Sequence, residues 1–136
     1  MSTDTILNRV SAIPLILRVA CLASGALGLL QLVAIIFPVV SPGIDGVTLR
    51  SPELAAVMGV IHVGLAWAIF RRLAWAVPVI ILLPFIQYGI LYLEVGVPEQ
   101  SRLRLNLLFS GVWALIFSAY LFGFKAFKYF HATENA

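Results

Sequence analysis

Four long stretches of the chain carry no charged side chain: Val19 to Ile44, Leu54 to Phe70, Leu73 to Leu93 and Leu105 to Phe124. An α-helix rises 1.5 Å per residue, so roughly 20 apolar residues cross the hydrocarbon core of a bilayer. Each stretch comes close to that length. The pattern predicts an all-α integral membrane protein. Its single domain is a bundle of four transmembrane helices, over about 14–38, 52–70, 73–94 and 105–125, running alternately up and down as antiparallel neighbours with short loops.

Local signals set the predicted ends. Pro14 suits the first turn of the first helix, where its missing N–H costs nothing, and Pro38 ends it about 36 Å later. The Pro42-Gly43 and Asp45-Gly46 pairs are turn signals. Ser51-Pro52-Glu53 reads as a helix start: Ser51 as N-cap, Pro52 in the first helical position, and Glu53 at the positive end of the helix dipole. Arg71-Arg72 alone separates the second and third spans, which predicts a tight hairpin with Trp67 and Trp75 as interfacial anchors. Pro78 and Pro84 interrupt the third span, and neighbouring helices are expected to satisfy the carbonyls they free. Glu94 to Asn106 forms the second loop on the opposite side, where Glu99 and Arg102 can pair if Pro98 starts a helical turn.

Composition agrees: 62% of the 136 residues are hydrophobic, 11% are charged, and mean hydropathy is +1.04, outside the range of a soluble domain. The net charge of +3 would suggest acidic partners in a soluble protein, but here the position of each charge matters more. Arg9, Arg18, Arg71, Arg72, Lys125 and Lys128 fall on one side of a four-span layout, and Arg50, Arg102 and Arg104 on the other. Positive charge favours the cytoplasm, so both termini and the Arg71-Arg72 turn are expected inside a bacterial-type inner membrane. A cleaved signal sequence fits poorly, because the first apolar run continues to Phe37 and Arg18 would sit within it. Cys21 is the only cysteine, which leaves no intramolecular disulfide and suggests a small buried side chain.

Candidate chemistry rests on the few polar side chains inside the spans, since such groups are costly in hydrocarbon and face the bundle interior. Counted from the helix ends, Gln31, His62, Gln87 and Ser110 fall near one level, at or slightly beyond the midplane. Small residues share their faces: Ala20, Ser24 and Gly28 with Gln31; Ala55, Gly59 and Ala66 with His62; Ala114 and Ser118 with Ser110. Ser24, Gly28, Gly59, Ala66 and Ala114 are thus expected at helix contacts. Three uses of the polar layer are open: a hydrogen-bond network that sets helix register, a substrate or proton site, and a cofactor site. Tyr88 and Tyr92 lie one turn apart near Glu94, either as an interfacial belt or as a rim site for a headgroup or quinone ring.

His62 is the one intramembrane side chain that ordinarily titrates near neutrality. Haem b would need a second ligand from a partner chain, because His131 lies in the C-terminal tail. One histidine, one cysteine and no carboxylate within the spans do not build a metal site, and no nucleophile stands with a base. Neither a catalytic set nor a resident cofactor is therefore predicted.

In size and span number the chain resembles the small multidrug exporters, whose defining feature is a membrane-embedded glutamate in the first helix. Gln31 is the most polar interior residue of the first span here, so proton-coupled cation exchange is not expected. The layout is also similar to small four-helix DoxX-type membrane proteins, with Arg18, Gly25 and Gly28 in the first span. The leading expectation is a non-enzymatic accessory or assembly subunit that packs against a larger membrane complex or itself. The alternatives are a small-molecule or ion transporter using the midplane layer, and a haem- or quinone-binding subunit. The lipid bilayer is the expected partner, and nucleic acid is not.

Overall fold

The computed structural model describes residues 6, 8, 13–36, 52–123 and 126–131. Four long helices dominate them: α1 (Leu15–Ile36), α2 (Pro52–Phe70), α3 (Ala76–Val95) and α4 (Gln100–Ser118). All four are long and apolar enough to span a bilayer, the last by continuing through a π-helical turn, Ala119–Gly123. A short helix, α5 (Lys128–His131), follows. Arg9, the helix stop at Pro38, the Pro42–Gly46 turn, Arg50, the Ser51 cap and Lys125 lie outside the described residues.

The predicted elements appear with shifted ends. α3 begins at Ala76 and not at Leu73, because the N–H groups of Arg71, Arg72 and Leu73 are used in closing α2 and the carbonyls of Leu73 and Ala74 then accept from Ala76 and Val77. Arg72 adopts a left-handed conformation (φ 61°), and the N–H groups of Arg72 and Leu73 return to the carbonyls of Ile69 and Ala68 at 3.1 and 2.8 Å. That pairing satisfies the carbonyls a helix end leaves unbonded. Pro78 consequently falls in the first turn of α3, where a helix has no intrahelical use for its N–H. It starts α3 and does not interrupt it. α4 begins at Gln100, five residues before the uncharged run, because the Leu103 N–H bonds the Glu99 carbonyl at 3.0 Å. Between α3 and α4 the backbone turns at Gly96, whose φ of 89° suits a residue without a side chain.

Contacts within the first pair, α1 and α2, and within the last, α3 and α4, run in opposite senses, residue numbers rising along one helix as they fall along the other. The Cys21 thiol meets the Ala66 carbonyl, whereas Leu32 lies against Gly59. Asn106 meets Tyr92, and Trp113 meets Ile80. The larger core cluster gathers toward the Arg71-Arg72 end, around Leu17, Leu65, Ile69, Ile80 and Phe130. Ala55, Met58 and Leu91 form a smaller cluster toward the other end. α5 closes the larger core: the Tyr129 hydroxyl donates to the Ile69 carbonyl at 2.9 Å, and the Arg72 guanidinium lies 5.0 Å from the centre of the Tyr129 ring. Burial pushes the Tyr129 phenol above its usual pKa, against the opposing pull of Arg72.

Candidate functional site

His62 lies on the inward face of α2 and is only 2% exposed. Its Nδ1 is 2.9 Å from the Met58 carbonyl, one turn earlier, and its Nε2 is 3.0 Å from Nε2 of Gln87 on α3. A carbonyl only accepts, so Nδ1 carries the proton and donates to it. In the neutral ring Nε2 then has a lone pair, and the Gln87 amide donates to it. The two partners select one tautomer of an uncharged imidazole. Gln87 keeps a second N–H and its carbonyl oxygen for other contacts.

The polar pair opens into a cleft of about 200 Å³ to which all four helices contribute. α1 supplies Ser24 with Ala23 and Leu27, and α4 supplies Phe109 and Trp113. Leu65, Ile80 and Leu83 form a buried apolar floor. At about 30 Å³ per liquid water, the volume equals six or seven waters, the size of one small ring system. The mouth lies between α1 and α4, which scarcely touch each other, and its lips at Ala23, Leu27 and Phe109 are exposed. In a membrane that mouth faces lipid, not water.

Pro84 shapes the same wall. Without an N–H, it leaves the carbonyl of Ile80, four residues earlier, free of its helical partner. The Trp113 indole supplies the missing donor at 2.8 Å from α4. The bond holds α4 to α3 and fixes the indole against the cleft. Phe117 stacks on the indole, with ring centres 4.4 Å apart.

The structure therefore divides the four residues of the polar layer. His62 and Gln87 are joined. Ser110 is buried on α4 but lines a neighbouring pocket between α3 and α4, with Tyr88 and Tyr92. Gln31, 6% exposed, lines none of these cavities, and its buried carbonyl oxygen has no hydrogen-bond partner among the described residues. At the rim, the rings of Tyr88 and Tyr92 stack 6.2 Å apart, and the Tyr92 hydroxyl meets the Asn106 amide at 2.6 Å. Glu94 is half-buried and does not line the pocket that Tyr92 shares with Glu99 and Arg102.

Of the predicted contact residues, Gly28 and Gly59 lie against each other at the α1–α2 crossing. A Cβ at Gly28 would come within 2.9 Å of the Gly59 carbonyl oxygen, and one at Gly59 within 2.8 Å of Leu32. Ala66 receives the Cys21 thiol on its carbonyl at 3.3 Å. Ser24 lines the cleft, while Ala114 is half-buried on α4. Sequence reasoning did not single out Trp113 or Phe109 as site residues. Pro84 was the available signal, since it implies an external donor for Ile80.

An iron atom at His62 would have to displace Gln87 from Nε2, the nitrogen that faces the cleft. Among the described residues, no three histidines, cysteines or carboxylates stand close enough to hold a metal ion. No family model, curated protein or solved structure matches the chain.

Proposed function

We propose that this small polytopic membrane protein binds a neutral, mostly apolar small molecule in the cleft beside His62 and passes it within or across the bilayer, without catalysing a reaction. The observation that carries this reading is the cleft itself: four helices meet around one hydrogen-bonding edge in an otherwise apolar space. Its polar inventory favours an uncharged guest. Ser24 and Gln87 offer donors and an acceptor, and no charged side chain lines the space. A substituted ring with a carbonyl or hydroxyl fits that inventory, and the mouth between α1 and α4 admits it from the lipid. The excess of Arg and Lys on one side supports an orientation with the Arg71-Arg72 turn and both termini in the cytoplasm of an inner membrane.

The test is a thermal-shift screen of neutral aromatic carbonyl and hydroxyl compounds on the purified protein in mild detergent, followed by uptake into proteoliposomes. Compounds that raise the melting temperature of the wild type should lose that effect in Ala23→Phe, which narrows the mouth, and in Gln87→Leu. Equal shifts in all three proteins would place binding elsewhere. The absence of any stabilising compound would overturn the reading.

A second reading is an accessory subunit of a larger complex or homo-oligomer, favoured by α1 and α4, each only 17% buried over its most apolar window. Gentle purification from native membranes with mass spectrometry separates the two. A stoichiometric partner chain supports the subunit, and a homogeneous protein without one supports the small-molecule reading.

A further inference from the structure

Two pockets follow the seam between helices α3 and α4 on the side of the Gly96 connection. The outer one, about 550 Å³, lies at the connection against Val97, Pro98, Glu99 and Arg102. The inner one, about 290 Å³, continues down the seam past Phe85, Gly89, Leu107 and Ser110. Tyr92 and Asn106 line both, and their 2.6 Å hydrogen bond stands at the junction. The outer pocket has one cationic and one anionic side chain. The inner walls are almost wholly apolar. None of these residues lines the cleft at His62.

We infer that this seam binds one phospholipid with a zwitterionic, primary-amine headgroup, an acyl chain lying in the inner pocket and the headgroup in the outer one. The guanidinium of Arg102 suits the phosphate, which it can engage through two N–H groups, and the start of α4 adds the positive end of a helix dipole. The Glu99 carboxylate suits the ammonium and repels a headgroup that carries net negative charge. Hydrocarbon enters from the side, because Phe85, Gly89 and Leu107 border the inner pocket and are exposed. Gly89 keeps that passage open: a Cβ there would meet no atom within 4 Å. A water-soluble ligand would gain nothing from the inner pocket, whereas a diacyl amphiphile matches both halves in order, polar at the connection and apolar toward the midplane. The inference is independent of the cleft and of its guest.

The experiment uses the full-length protein, equilibrated with vesicles of equal phosphatidylethanolamine and phosphatidylglycerol, re-extracted in mild detergent and weighed intact by native mass spectrometry. The wild type should retain one phosphatidylethanolamine per chain in preference to phosphatidylglycerol. Glu99→Gln should lower that preference about fivefold to tenfold, and Arg102→Gln, which loses the contact to the phosphate both lipids share, should lower the total lipid retained about fivefold to tenfold. Gly89→Leu, which fills the inner pocket, should remove most of the retained lipid at unchanged helix content. If Gly89→Leu does not fold, the two exposed-residue variants decide the matter alone. Retained lipid that mirrors the vesicle mixture in the wild type, a headgroup preference unmoved by Glu99→Gln, or a total retention unmoved by Arg102→Gln would overturn the inference.

Discussion

The first pair of helices and the last pair are built on opposite principles. Between α1 and α2 the backbones themselves come together at Gly28 and Gly59, with Val63 and Leu32 packed across them. Between α3 and α4 large side chains hold the helices apart, and the contact is made by a few directional bonds such as Trp113 to Ile80 and Asn106 to Tyr92. In lipid, apolar area gives little drive to bring helices together, because hydrocarbon surrounds them whether they are associated or apart. Close backbone approach gains dispersion contacts and leaves no space, while aromatic spacers with hydrogen bonds hold helices together and leave cavities. The lipid seam lies wholly in the second pair, and the cleft's mouth lies where that pair fails to meet the first.

The most disruptive changes should fall in the tight pair, where Gly28→Ala adds the smallest side chain possible. The new methyl would sit 2.8 Å from the Val63 amide nitrogen and 2.9 Å from the Gly59 carbonyl oxygen, so the helices have to separate. Overpacking of this kind costs about 1–3 kcal/mol or more. We expect a clear fall in the melting temperature in detergent, and a larger one for Gly59→Leu. An unchanged melt for both would mean that the glycine crossing does not hold the bundle.

Next in size is Trp113→Phe, which keeps an aromatic ring but leaves the Ile80 carbonyl beside Pro84 without its donor. An unpaired group in apolar surroundings costs about 1–3 kcal/mol. The double variant Trp113→Phe with Pro84→Ala restores a helical donor for Ile80, so it should recover part of the loss. Failure to recover any would show that Trp113 acts through packing alone.

Gly89→Ala tests the contrast most directly, since it makes in the open pair the same substitution that Gly28→Ala makes in the tight one. No atom lies within reach of the added methyl, and alanine favours helix over glycine by about 1 kcal/mol in exposed helix interiors. Its melting temperature should stay level or rise slightly. A fall like that of Gly28→Ala would abolish the distinction between the two pairs.

The smallest effect concerns the collar that closes α2, outside both pairs. Burial raises the Tyr129 pKa above its ordinary value of 10.0, so ionisation is harder in the folded state than in the unfolded one. The resulting stability is whole below that ordinary value and is lost as pH rises through the raised one. Melting curves at strongly alkaline pH should decline less in Tyr129→Phe than in the wild type. Parallel declines would remove Tyr129 from the alkaline transition.

Much of this was legible in the residues themselves, and some of it was not. Charge-free runs of bilayer length located all four spans, because a membrane tolerates backbone only when its hydrogen bonds close within the segment. Gly28 and Gly59 were legible as contact residues from their spacing beside Gln31 and His62. The start of α3 was not: Arg72 in a left-handed conformation is a rarity that composition does not announce, and it turns Pro78 from an interruption into a first-turn residue. Depth could be counted along each helix, but rotation about the helix axis could not. Gln31, His62, Gln87 and Ser110 therefore read as one layer, although only His62 and Gln87 meet.

By itself, the sequence determined that the chain is a helical membrane protein with four apolar spans and a few buried polar side chains. Those properties follow from length, hydropathy and the cost of unpaired polar groups, each a property of one segment at a time. The tertiary structure alone decided which polar groups bond, that Trp113 takes the carbonyl freed by Pro84, and that α1 and α4 stand apart with a cleft between them. Such features depend on how helices rotate and cross. Small differences in side-chain size at a handful of contacts set those angles, and no single segment contains that information.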